Sequence, residues 1–118
     1  MANEINYNKR RFRAIANSPN GEVDGVTFFE YYQEGNVLWG TYRGANILFG
    51  TITGLVEANG DIEFSYQHVN IHNEIMTGVC NSTPEIMKDG RIRLHEKWQW
   101  TCKDKSNGES VIEEIASN

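Results

Sequence analysis

The sequence predicts an all-β fold: eight antiparallel strands in an up-and-down meander, closed into a barrel. Three observations predict it. Turn-forming residues recur at short, even intervals; the runs between them are rich in Val, Ile, Thr, Phe, Tyr and Trp; and two of those runs alternate strictly between apolar and polar residues.

The first strand is expected over 5–16 and carries the basic run Lys9, Arg10, Arg11 and Arg13. Pro19-Asn20-Gly21 and Asp24-Gly25 end it before a second strand at 26–33. Gly35-Asn36 turns the chain into the third, 37–43, and Gly44-Ala45-Asn46 into the fourth, 47–57. A hairpin turned at Gly44-Ala45 sets Trp39 opposite Gly50, where the indole covers the missing side chain. Gly40, Gly50, Gly54 and Gly78 all fall inside strands, as curved strands require.

Asn59-Gly60 introduces the fifth strand, 61–70, with Ile62, Phe64, Tyr66 and His68 on one face and Glu63, Ser65 and Gln67 on the other. His72-Asn73 precedes the sixth, 74–82. Asp89-Gly90 precedes the seventh, 91–102, where Ile92, Leu94, Glu96, Trp98 and Trp100 alternate with Arg91, Arg93, His95, Lys97 and Gln99. Asn107-Gly108 leads into the eighth, 110–115. Two segments, 83–88 and Glu109 to Ala116, are also compatible with helix. Short connections throughout favour closure, which removes exposed strand edges. The alternative, a two-layer β-sandwich, needs longer crossovers than these turns provide.

The 118 residues suit one domain, 1–118, large enough to bury a core. A net charge of −5 argues against nucleic acid as a partner, and the basic run reads as a solvated strand face because no basic stripe continues it. No stretch approaches the ~20 apolar residues of a membrane helix, and Met1 to Arg13 has no apolar signal core. The expected setting is therefore the cytoplasm, with no membrane partner. Cys80 and Cys102 lack metal or Cys-x-x-Cys spacing. With a turn at Asp89-Gly90, Cys80 faces Gln99 and Cys102 lies roughly 10 Å further along, so both are expected as free, buried thiols.

Glu96 is the most informative residue. It sits on an apolar strand face between Leu94 and Trp98, where a carboxylate must find donors or become neutral. Tyr66 and His68 lie on the apolar face of 61–70 and could supply donors across an interior; Tyr31, Gln33 and Tyr42 are further candidates. Trp98 and Trp100, two residues apart, offer aromatic walls. These residues together read as a ligand-binding set: Tyr31, Gln33, Tyr42, Tyr66, His68, Glu96, Trp98 and Trp100. A sharper reading makes Glu96 a general acid or base assisted by His68. If 110–115 is a strand, Glu113 and Glu114 point to opposite faces, so one would be inward like Glu96 and a possible partner to it, although the commoner outcome is that both are solvated at a strand end. The histidines His68, His72 and His95 show no metal spacing, His72 and His95 being expected at the surface. No Gly-x-Gly-x-x-Gly, Walker or Gly-x-Ser-x-Gly motif occurs, so no cofactor is expected.

Phe29-Glu30-Tyr31, Gln33-Glu34-Gly35-Asn36, Met76-Thr77-Gly78-Val79-Cys80, Gly90-Arg91-Ile92-Arg93-Leu94-His95-Glu96, Trp98-Gln99-Trp100-Thr101 and Ile112-Glu113-Glu114 resemble a family of short bacterial proteins of unknown role, often labelled N-acetylglutamate synthase. The label implies acetyl transfer from acetyl-CoA, for which the chain lacks a Gly-rich loop and a following helix. The architecture is similar to lipocalin-like barrels that carry apolar ligands, although no tryptophan precedes Trp39 to form their Gly-x-Trp signature. The reading favoured by the residues is a barrel binding a small, partly apolar molecule, acting as monomer or homodimer. The alternatives are an enzyme using Glu96, and a filled barrel acting through an outer apolar patch around Phe28 and Tyr32.

Overall fold

The alternation read in 61–70 and 91–102 is realised in the computed structural model, which describes residues 5–116. Residues 1–4 and 117–118 of the expected domain lie outside the described residues. The strands are β1 (Arg10–Asn17), β2 (Phe28–Glu34), β3 (Val37–Gly44), β4 (Ile47–Val56), β5 (Ile62–Asn70), β6 (Ile75–Ile86), β7 (Ile92–Trp100) and β8 (Asn107–Glu114). Each is antiparallel to the next, and β8 returns to pair with β1, so the sheet closes into an eight-stranded barrel. The sandwich alternative is excluded by this single closed sheet.

The odd-numbered connections (18–27, 45–46, 71–74 and 101–106) gather at one end of the barrel, here called the upper end. The lower end is stoppered by the segment before β1. Tyr7 is fully buried there, its hydroxyl donating to the Gly60 carbonyl at 2.6 Å and its backbone N–H to Gln33 Oε1 at 2.9 Å. The expected first strand, 5–16, therefore starts late. Lys9 adopts a positive φ of 62°, which turns the chain from this stopper into the sheet.

The turns differ from expectation in a consistent way. At both Asn59-Gly60 and Asp89-Gly90 the glycine is not part of a two-residue turn. It is the last residue of a three-residue loop, with φ of +92° and +90° at Gly60 and Gly90. The β6–β7 register is consequently one residue from the expected one: Cys80 faces Trp98, not Gln99. Similarly, the β3–β4 turn falls at Ala45-Asn46 and an irregularity lies between Tyr42 and Gly44, and together they bring Tyr42, not Trp39, opposite Gly50. A Cβ on Gly50 would run into the Tyr42 ring, so the aromatic cover exists but a different residue supplies it. Trp39 is outside, stacked on Tyr32 at 6.2 Å. Phe28 is likewise on the outer surface.

Neither helical alternative forms. Residues 83–86 continue β6, and Pro84 is tolerated because the ladder with β5 ends at Ser82, so its missing N–H breaks no bond there. Residues 107–114 form β8, the strand that closes the barrel. Cys80 and Cys102 are both free, as expected, but only Cys80 is fully buried.

Candidate functional site

The lower half of the barrel is filled by Tyr7, Phe12, Tyr31, Leu38, Ile62, Ile92, Leu94 and Ile112, all essentially inaccessible to solvent. The upper half is looser. Phe29, Tyr42, Ile52, Phe64, Tyr66, Trp98 and Trp100 wall a slot of about 50 Å³, room for little more than a water or two as closed. Its polar lining is sparse: Glu96 and Ser110 at one side, and His68, Asn17 and Glu22 towards the mouth.

Glu96 is buried by its place on β7, whose even-numbered residues all face inward. Its neighbours in register are Ser82 on β6 and Ser110 on β8. Each serine hydroxyl donates to one carboxylate oxygen at 2.9 Å. Two neutral donors do not replace full hydration. Burial dominates and pushes the Glu96 carboxyl up to about 7, with the two serine bonds opposing the shift. Near neutral pH this group can therefore act as hydrogen-bond donor or acceptor, and can give or take a proton.

His68 forms a separate polar chain. Its Nδ1 lies 2.8 Å from the Tyr42 hydroxyl and its Nε2 lies 2.7 Å from Glu22 Oε1. Burial lowers the His68 pKa, partly offset by Glu22, and burial holds Tyr42 protonated. In the neutral ring, Nε2–H donates to the carboxylate and Nδ1 accepts from Tyr42. His68 and Glu96 share no hydrogen bond, and each belongs to its own polar cluster on the slot.

The structure brings six of the eight expected site residues to one slot: Tyr42, Tyr66, His68, Glu96, Trp98 and Trp100. Tyr31 points inward but belongs to the lower layer, packed on Phe12 at 5.0 Å and Tyr7 at 6.4 Å. Gln33 is at the lower rim, serving Tyr7 and donating to the Gly35 carbonyl. Neither lines the slot. Neither Glu113 nor Glu114 pairs with Glu96. Glu114 binds Arg10 at 3.0 Å, and Glu113 binds Arg93 at 2.8 Å and Arg91 at 3.3 Å. His72 is exposed, and His95, also exposed, contacts Glu85 at 2.7 Å.

The residues missed were Ser82, Ser110, Asn17, Asn70 and Glu22. The serines were findable from the correct register. Glu22 was not, because the segment between β1 and β2 has no periodicity to aim it.

The Tyr31 hydroxyl is buried with no partner among the described residues, whereas Tyr42 supports His68. Y42F is therefore expected to lower stability by about 1–3 kcal/mol, since it strands a buried ring nitrogen. Y31F is expected to lower it not at all. Urea unfolding of both variants checks the contrast, and equal losses would refute it.

A model of the avidin-like protein family matches residues 5–115. The chain belongs to the avidin-like family. Neither a curated protein nor a solved structure matches it. The comparisons lend nothing to the resemblance to proteins labelled N-acetylglutamate synthase. The avidin-like match spans all eight strands and the β1–β2 segment, so every residue of the slot comes from the matched region of a single chain.

Proposed function

We propose that this avidin-like chain binds a small, partly apolar molecule in the upper half of its barrel. The observation that carries the reading is Glu96. It is an ionisable group held inside an aromatic-walled slot by two serines, with one side still facing the slot. Convergent polar groups in an apolar concavity are the usual makeup of a small-molecule site. Avidin-like barrels typically bind small ligands such as biotin, which supports the same class of role. Trp98 and Trp100 sandwich or edge the apolar part of the ligand, and Glu96 and His68 orient its polar groups. The slot as closed is narrow, so entry requires the β1–β2 segment to move aside.

Indole emission reports directly on this. Trp98 and Trp100 lie in the slot and Trp39 lies outside the barrel. A panel of small ring compounds, biotin included, should give a saturable emission change that W39F retains and that W98F or W100F diminishes. No saturable change with any probe would refute the reading.

A second reading has one observation in its favour: a carboxyl held near neutrality is suited to general acid–base work. The slot would then catalyse a proton transfer. E96Q separates the two, abolishing turnover in the catalytic reading while ligand binding survives.

A further inference from the structure

The segment joining β1 to β2 does not bulge away from the barrel. It folds over the mouth of the slot, and its hold depends on groups that belong to the slot itself. Trp98 Nε1–H donates to Asn17 Oδ1 at 3.1 Å, and Trp100 Nε1–H donates to the Asn20 carbonyl at 3.1 Å. Asn17 Nδ2–H donates to the Val23 carbonyl at 3.0 Å. Between these anchors Glu22 turns inward and places its carboxylate on two donors: His68 Nε2 at 2.7 Å and Asn70 Nδ2 at 3.1 Å.

Those two side chains are held in position by groups other than Glu22. The Tyr42 hydroxyl holds His68 through Nδ1, and a carboxylate at Nε2, which can only accept, sets the tautomer with the ring proton there. Asn70 Oδ1 accepts from the backbone N–H groups of His72 and Glu74, which settles the direction of its amide. The seat is thus built by β5, β3 and the β5–β6 turn, and Glu22 occupies it from a different part of the chain. If the segment lifts, three N–H groups face the mouth, His68 Nε2, Asn70 Nδ2 and Trp100 Nε1, while Trp98 Nε1 stays on Asn17 at the end of β1. All are donors. The nearby acid Glu74 is paired with Lys103 at 2.5 Å, and Glu96, at the other side of the slot, is neutral below about 7, so in that range with Glu22 withdrawn no uncompensated carboxylate opposes an incoming anion.

We infer that Glu22 is a built-in occupant of the ligand's own anion seat, and that the ligand is a small carboxylic acid with an apolar body. The acid's carboxylate replaces that of Glu22 on His68 and Asn70, and its apolar body lies between Trp98, Trp100 and Tyr66. The inference rests on the small-molecule reading given above and adds its chemical class. Because Glu22 is tethered, it competes at every moment, and the apparent affinity for an acid is reduced by the fraction of time the seat is filled.

The test uses hexanoate, hexanamide and hexylamine as probes of equal length, read by indole emission in wild type, E22A, E22Q and E22A/H68F. Glu22 is on a connection and partly exposed, so its variants should fold; far-UV circular dichroism verifies this, and E22Q preserves size if E22A does not. Hexanoate is expected to bind E22A about tenfold or more tightly than wild type. E22Q should show a smaller gain, hexanamide little gain, and E22A/H68F should lose the preference for acid over amide. If hexanamide binds but hexanoate gains nothing in E22A, the inference fails and the binding site stands. If hexylamine binds wild type and is lost in E22A, Glu22 is the ligand's counter-charge and the inference fails. If no probe binds any of the proteins, the small-molecule reading fails with it.

Discussion

Replacing Glu96 with glutamine is expected to raise the melting temperature at pH 8 by on the order of 10 °C and to remove a pH dependence that the native chain shows. The sign follows from the proton balance. The carboxyl titrates near 4.5 in the unfolded chain and near 7 in the fold. Between those values the folded state holds the proton and the unfolded state has released it, so raising the pH favours unfolding. The contribution is fully present below about 4.5, declines through the window and is lost above about 7. The separation corresponds to about 3 kcal/mol. Glutamine avoids the loss because it stays neutral: one serine can still donate to its carbonyl while the other turns to accept from its amide. The groups facing Glu96 do not confuse the experiment. Tyr31, Tyr42, Tyr66 and Cys80 are all held protonated by burial across this window. His68, with its lowered pKa, acts in the opposite direction, but it is common to both proteins and cancels in the difference. Thermal melts of the two proteins from pH 4 to 9 decide the matter. Parallel curves would mean that the carboxylate is as comfortable inside the barrel as in water.

The second large effect is expected at the seam. Phe12 is fully buried on β1, facing Phe29 on β2 and Glu114 on β8, with its ring 5.0 Å from that of Tyr31. The β1–β2 ladder runs only from Arg10 to Arg13, and the β1–β8 register shifts between Ala14 and Ala16. With so short a ladder, packing beneath the seam must hold what hydrogen bonding does not. F12A removes the largest apolar side chain of β1 and should lower stability by about 3–5 kcal/mol, a large part of the usual total for a domain. F28A, on the outer face opposite Arg13, should cost under about 1 kcal/mol. The check is the urea midpoint of each variant at constant slope. Losses of similar size would show that the seam does not depend on the interior.

How far the site was legible depended on which geometric variable each residue required. Facing was legible where alternation was strict, so Tyr66, His68, Glu96, Trp98 and Trp100 were placed correctly on the inner face. Register was less so. A glycine after Asn or Asp fits both a two-residue and a three-residue turn, and choosing wrongly flips the partner strand. That is why Ser82, directly across from Glu96, was missed. Height along the barrel axis was not legible at all, since it is set by the stagger between strands and not by the period. Tyr31 shows this: its facing was right, but it belongs to the filled lower layer. Glu22 needed a tertiary contact that no local pattern encodes.

The pairing of β1 with β8 has a consequence for how the chain reaches its fold. Phe12 and Glu114 are register partners, so the last ladder to close spans almost the whole described sequence, whereas every other ladder joins strands adjacent in the chain. Hairpins can zip one after another, but the ring cannot seal until both extremities of the meander meet, and non-local closure of this kind slows folding. The same adjacency makes the starting point of the ring arbitrary. β1 begins at Arg10 and β8 ends at Glu114 on neighbouring strands at the lower end, where the two side chains pair at 3.0 Å. A circularly permuted chain, linked there and reopened in the exposed loop around Asp89-Gly90, would preserve every strand while making the present seam a local hairpin.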